Sequence, residues 1–137
     1  IDLLPVAPMP GLTALEGDFT AAESLAWLET QLAGKKVDLV LSDMAPNISG
    51  VELRDQARHY ELCELALDFA VNWLKPDGAF LVKVFQGVGF EDYRRQVREA
   101  FTTVAIRKPE ASRDRSTEVY LLGRAPRLRA ETGLESV

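Results

Sequence analysis

Along the chain the apolar residues switch repeatedly between short continuous runs and stripes spaced three or four residues apart, and each switch marks a change of element. Residues 37–41, Val-Asp-Leu-Val-Leu, are too short for a helix and read as a strand covered on both faces, with residues 79–85 as the next buried strand. Between them, from about Asp55, Leu62, Leu65, Ala66, Phe69 and Trp73 mark one helical stripe, which Lys75-Pro76-Asp77-Gly78 ends as a turn. Phe90, Tyr93, Val97 and Phe101 make a second stripe, followed by strands over residues 103–107 and 118–122. Upstream, Thr20-Ala21-Ala22-Glu23 has the form of a capping box opening a helix that carries Leu25, Leu28 and Leu32 as far as Gly34. Residues 12–16 read as a short strand ended by Gly17-Asp18-Phe19, and residues 1–4 as the end of another.

Strands alternating with helices of this length predict an α/β fold on a mostly parallel sheet, because a right-handed crossover helix is the usual way to join neighbouring parallel strands. The last connection differs. Residues 108–117 carry no apolar periodicity, so no crossover helix fits and the final strand should run antiparallel to its neighbour. Asp43 then lies just past the carboxyl end of one parallel strand, Lys83 late in the next, and Glu118 opens the antiparallel strand at the same edge. Open α/β sheets bind ligands at that edge, so these three ionisable side chains are expected to converge where a ligand would sit.

Composition sets the bounds. A chain of 137 residues, 47% hydrophobic and 27% charged, suits one globular domain with a core. The single Cys63 excludes an internal disulfide framework and a cysteine-ligated zinc site, and no apolar stretch approaches the roughly 20 residues of a membrane helix. A reducing cytoplasm is the expected location, with neither membrane nor metal as a partner. The first residue is Ile1 rather than Met, without the features of a signal peptide, and a preceding part is expected. The net charge of -5 conceals an asymmetry: residues 1–53 hold eight acids against two lysines, whereas residues 94–129 hold ten Arg or Lys against four acids. A mixed solvated surface is the ordinary reading of so small a total, but basic residues gathered at a site keep a polyanion in play.

Each candidate has an ordinary alternative. Asp43 in Asp-Met-Ala-Pro-Asn is as well suited to capping a turn as to chemistry. Lys83 is harder to dismiss, because Phe-Leu-Val-Lys-Val-Phe places an ammonium in a strand where an apolar side chain would pack better; snorkelling at the strand end is the lesser reading. Glu118 alone would be an exposed charge at a strand start. His59 has no second histidine or spaced acid pair to form a metal site and reads as an ordinary helix position, and Cys63 as a small core residue. Gly87-Val88-Gly89 lacks the third glycine of a dinucleotide fingerprint and reads as a loop. Asp2 and Asp18 end strands at positions from which carboxylates of doubly wound folds accept hydrogen bonds from a ribose or an adenine amino group, although aspartate is common in such loops anyway.

Taken together, Asp2-Leu3-Leu4-Pro5, Gly17-Asp18-Phe19, Ser42-Asp43-Met44-Ala45-Pro46-Asn47-Ile48-Ser49-Gly50, Val82-Lys83-Val84-Phe85-Gln86-Gly87, Arg107-Lys108-Pro109, Ser112-Arg113 and Glu118-Val119-Tyr120 resemble the FtsJ-type ribosomal RNA 2′-O-ribose methyltransferases over residues 1 to about 124. The likeness is greatest to bacterial members that methylate a uridine ribose of large-subunit ribosomal RNA. It implies a Rossmann-like class I methyltransferase fold, S-adenosylmethionine as cofactor, and a Lys-Asp-Lys-Glu catalytic set of which Asp43, Lys83 and Glu118 match the last three members. Asp2 and Asp18 would hold the ribose and adenine of the cofactor, with Asp43 near it. The family's first lysine and its Gly-rich loop have no counterpart in these residues, nor does the first strand, which would stand between residues 1–4 and 37–41. The sheet is therefore expected to be split and the 137-residue chain to be inactive by itself. Residues 1–124 would form a partial methyltransferase domain and 125–137 a polar tail.

The implied reaction is attack of a ribose 2′-hydroxyl on a sulfonium methyl. Lys83 would serve either as a neutral base or as a cation that orients the hydroxyl while a carboxylate or water takes the proton, since its acidic neighbours favour the charged form and burial opposes it. Lys108, Arg113 and Arg115, with Arg107 before them and Arg94, Arg95 and Arg98 on the preceding helix, suit a phosphate backbone, and RNA is the nucleic acid that carries a 2′-hydroxyl. Two other readings stand beside this one: a catalytically inactive nucleotide- or RNA-binding module of the same fold, and, last, a nicotinamide-dependent oxidoreductase.

Overall fold

The structure, a computed structural model, describes residues 1–44, 50–108 and 118–127. The chain divides into two compact units, Ile1–Lys36 and Val37–Val137.

In the first unit the strands expected over residues 1–4 and 12–16 are reduced to a single parallel bridge between Asp2 and Glu16. The Asp2 N–H donates to the Leu15 carbonyl at 3.1 Å and the Gly17 N–H to the Asp2 carbonyl at 2.8 Å. Two extended segments joined by one bridge, with no further strand among the described residues of this unit, gain too few ladder bonds to persist as regular structure. Helix α1 (Ala22–Leu32) starts at Ala21 without a side-chain cap, so the expected capping box is not formed. The Thr20 hydroxyl turns back instead and donates to Asp18 Oδ1 at 2.7 Å, and the Thr20 N–H donates to the same oxygen at 2.9 Å. An aspartate two residues upstream closes this turn with a charged acceptor, which outcompetes a cap made by a neutral hydroxyl. Ala33 (φ 52°) and Gly34 (φ 79°) end the helix in left-handed conformations.

The second unit is a four-stranded sheet. β1 (Val37–Ser42) and β2 (Leu74–Phe85) are parallel and joined through α2 (Glu52–Trp73), while α3 (Phe90–Ala100) leads from β2 to β3 (Phe101–Arg107). β4 (Glu118–Pro126) lies antiparallel between β2 and β3, giving the order β1-β2-β4-β3. The reversal expected from the unpatterned connection after Lys108 is thus present. β2 starts earlier than the sequence suggests, because the pairing Val37↔Leu74 resumes only at Leu39↔Ala79. Lys75-Pro76-Asp77-Gly78 therefore bulges within the strand rather than preceding it, and Gly78 is suited to the bend, since a Cβ there would meet Leu74 Cδ2 at 2.9 Å.

Alternation along β2 sorts the faces. Phe80, Val82 and Val84 are fully buried with Val119 and Leu121 of β4, against α2 and α3. Leu81 and Lys83 face the other way and are half-buried, and Phe85, at the strand's end, is half-buried with its ring against His59 of α2. β1 departs from the expectation of cover on both faces: Leu39 is 50% and Leu41 65% exposed, and within the second unit α2 and α3 pack together on the face that carries Phe80, Val82 and Val84. α2 departs in phase. Its buried residues are His59, Cys63, Ala66, Leu67 and Ala70, whereas Leu65, assigned to the core stripe from spacing, is exposed and Leu62, Phe69 and Trp73 are half-buried on the flank. Small side chains let the helix backbone approach the sheet closely, and that contact selects the face.

Candidate active site

β1 ends at Ser42, in register with Val82, so the next residue, Asp43, emerges beside Lys83. Glu118 opens β4 opposite Phe85, while Tyr120 stands directly opposite Lys83; Glu118 is thus the diagonal neighbour of Lys83 on the same face. Lys83 Nζ lies 2.5 Å from Asp43 Oδ1 and 3.3 Å from Glu118 Oε2. The lysine side chain is 21% exposed and Glu118 29%, but Asp43 is 62% exposed, so the cluster is open to solvent on the Asp43 side.

The hydrogen bond to Asp43 is the largest influence on Lys83 and, with the Asp43 charge and the Glu118 carboxylate, raises it above the ordinary lysine value against the opposing effect of desolvation. These neighbours favour Lys83 as an ammonium. Of the two protonation states open to it from sequence, the geometry favours the cation, which donates three hydrogen bonds and accepts none.

Behind the lysine, α2 contributes groups that spacing alone did not single out for the site. His59, expected as an ordinary helix position, is 1% exposed and accepts the Phe85 N–H at Nε2, 3.1 Å away. Burial first, then the Lys83 charge, push its imidazole down to about 4, with Glu118 opposing. The Tyr60 hydroxyl donates to the Phe85 carbonyl. Cys63 is buried, and desolvation pushes its thiol up to about 12, so it is neutral as well. The signal that could have found them is the His59/Cys63 pair at i, i+4, in line with Ala66 and Ala70 rather than with the larger leucines.

In the first unit, Asp2 and Asp18 each close a turn of their own: Asp2 Oδ1 accepts the Leu4 N–H at 3.0 Å, and Asp18 Oδ1 accepts both Thr20 donors, which lower its pKa. The Asp2–Glu16 bridge brings Asp2 level with the segment that runs into Asp18. A carboxylate has about four lone-pair sites, so these turns orient the two groups without exhausting them.

The basic candidates separate. Lys108 is exposed just beyond β3, and Arg107, Tyr120 and Lys83 form one row across three strands, which puts Arg107 two strand spacings, about 10 Å, from Lys83. Arg113 and Arg115 lie outside the described residues. Arg94, Arg95 and Arg98 are correct in number but not in net charge: Glu91 pairs with Arg94 and Arg98, and Asp92 and Glu99 with Arg95, so α3 is locally neutralised. Among the described residues no group of three or more His, Cys, Asp or Glu is arranged to hold a metal ion, and no helix is long and apolar enough to cross a membrane.

Helices on a sheet whose antiparallel strand is inserted beside the edge, with an acid, a lysine and a second acid at the carboxyl edge, define a Rossmann-like methyltransferase fold. A solved Plasmodium falciparum protein described as a ribosomal RNA methyltransferase shares that fold, with a TM-score of 0.76 at 22% identity over 90% of this chain and 69% of that one. Residues 1–125 match the FtsJ-like methyltransferase family, and the chain belongs to it. It is 79% identical over 126 residues to the ribosomal RNA large subunit methyltransferase E of Thiobacillus denitrificans, covering 92% of this chain and 57% of that protein. The protein of the same name from Azoarcus sp. is 63% identical over 123 residues, 90% of this chain and 60% of its own length. The chain thus spans somewhat more than half the length of these curated relatives.

Proposed function

We propose that the protein transfers the methyl group of S-adenosylmethionine to a ribose 2′-hydroxyl, that of a uridine in large-subunit ribosomal RNA, in the cytoplasm where ribosomal particles are available. The observation that carries this reading is the Lys83 ammonium held between Asp43 and Glu118 at the carboxyl edge of the sheet of an FtsJ-like chain. The names of the similar proteins support the choice of RNA.

The residues present suit a nucleoside cofactor. Asp2 and Asp18 offer fixed carboxylates with lone pairs to spare for ribose hydroxyls and an adenine amino group, and Asp43 is assigned to the cofactor as well as to Lys83. When bound, S-adenosylmethionine supplies an electrophilic methyl on a sulfonium cation. Lys83 donates to the substrate 2′-oxygen and aims its free lone pair, an orienting role worth several orders of magnitude in rate when geometry is held. As the oxygen–carbon bond forms and the sulfur–carbon bond breaks, the hydroxyl becomes strongly acidic, so a carboxylate is a sufficient acceptor for its proton. Among the described residues Asp43 and Glu118 are the two carboxylates paired with Lys83, and each also keeps it charged. Lys108, Arg113 and Arg115 are assigned to the phosphate backbone.

The test is methyl transfer from labelled S-adenosylmethionine by the full-length protein to ribosomal particles and to naked ribosomal RNA. Label is expected at a 2′-oxygen of large-subunit RNA; its absence from both substrates overturns the reading. Replacing Lys108, Arg113 and Arg115 by Ala should weaken RNA binding and lower the slope of log affinity against log salt by about one unit per lost phosphate contact, with cofactor affinity unchanged. An unchanged slope moves the RNA surface elsewhere.

A further inference from the structure

β1 pairs with β2 only as far as Ser42↔Val82, so beyond Val82 the described strand on that side gives out while Lys83, Val84 and Phe85 still have backbone groups to satisfy. α2 takes over. The Phe85 N–H donates to His59 Nε2 at 3.1 Å and the Tyr60 hydroxyl donates to the Phe85 carbonyl, so two consecutive helix residues hold both main-chain groups of one strand residue. The Cys63 thiol lies 3.8 Å from the Lys83 carbonyl and 3.5 Å from His59 Nε2. The Tyr93 hydroxyl donates to the Cys63 carbonyl at 2.8 Å, which ties α3 to the same turn of α2. The His59 ring also lies against Phe85, with centroids 4.6 Å apart.

Because Nε2 accepts, the ring proton of His59 sits on Nδ1, and that buried atom has no partner among the described residues. An apolar side chain of similar size would avoid the cost of a buried unpaired N–H, so packing alone does not account for an imidazole here. What the imidazole provides and an apolar group would not is the acceptor for Phe85, two residues beyond Lys83. Its neutrality at physiological pH keeps that acceptor available, since a proton on Nε2 would oppose the Phe85 N–H.

We propose that His59 is a positioning residue for Lys83: by accepting the Phe85 N–H it fixes the carboxyl end of β2 so that the ammonium stays between Asp43 and Glu118. The role rests on the assignment of Lys83 to methyl transfer. Tyr60 and Cys63 share the task, but each leaves other contacts in place if removed, whereas His59 is the acceptor that Phe85 uses.

Single-turnover methyl transfer by the full-length protein, at saturating RNA and S-adenosylmethionine, reads the rate constant and the reactive fraction separately. His59→Leu should lower the rate constant roughly tenfold or more, because a misplacement on the order of 1 Å at a reacting group costs up to about 10²-fold, while affinities for both substrates hold. His59→Gln, whose Oε1 can accept the same N–H, should return it to within about threefold of the parent. A residue that only supports the fold would lower the reactive fraction and leave the rate constant of the remaining protein unchanged; that result overturns the proposal. If His59→Leu does not fold, His59→Gln against the shorter His59→Asn decides: a ratio of rate constants of about ten supports positioning, and a ratio near one overturns it. Lys83→Ala is run alongside. A slow Lys83→Ala with fast His59 variants removes the positioning role alone, and a fast Lys83→Ala removes the catalytic assignment on which it stands.

Discussion

β2 and β4 present two faces that share one backbone and divide the protein's tasks. On the helix-covered face, Phe80, Val82, Val84, Val119 and Leu121 are shut away from solvent, and Phe80 stacks on Phe101 with ring centroids 5.9 Å apart. On the other, Lys83, Tyr120 and Glu118 remain partly open, and Lys83 is ion-paired with Asp43 and Glu118. Successive residues of a strand point to opposite sides, so stability and chemistry sit one position apart along the same six residues. A substitution on the covered face should therefore cost folding free energy with the surviving protein still competent, and one on the open face should cost turnover with the fold intact.

The largest effect that would break this division is at Phe80. Phe80→Ala should destabilise the full-length protein by about 3–5 kcal/mol, read from the urea midpoint, since it empties a fully buried ring site. A loss below about 1 kcal/mol would mean that the covered face is not the core. Next, Lys83→Ala should slow single-turnover methyl transfer by roughly 10²-fold or more with little change in cofactor affinity, and Asp43→Ala should harm both. Near-normal turnover would free Lys83 from the chemical step. Gly123→Ala should then cost about 1–3 kcal/mol, because its Cβ would meet the Phe101 ring at 2.7 Å; an unchanged thermal midpoint would show that the ring can yield.

Smaller effects sharpen the role of the open face. Asp43 and Glu118 raise Lys83 above its ordinary 10.5, so the stabilisation of that ion pair is complete below the unfolded lysine's value and lost only as pH rises through the raised one. The methyl-transfer rate should accordingly vary by less than about twofold between roughly pH 7 and 9, whereas a tenfold rise per pH unit would make neutral Lys83 the base. Smallest of all, Lys75→Ala should leave the thermal midpoint almost unchanged, because its 2.9 Å pair with Asp38 joins two exposed side chains. A marked fall would show that the bulge at residues 75–78 depends on that pair.

Periodicity by itself determined the number and order of the long elements of the second unit, the reversal of β4 and the convergence of Asp43, Lys83 and Glu118, because these follow from which segments can be strands and whether a crossover helix fits between them. It did not determine phase or context. A helix with apolar residues on two adjoining faces does not reveal which one the sheet accepts, and the close approach of α2 chose Cys63, Ala66 and Ala70 over Leu65. The capping box at Thr20 was lost to a nearer charged acceptor, and the strands at residues 1–4 and 12–16 shrank to one bridge for want of neighbours. The charge state of Lys83 and the use of His59 as a backbone acceptor were likewise decided only in three dimensions. Both depend on distances of about one hydrogen bond between residues far apart in the chain, and no spacing along a single segment encodes them.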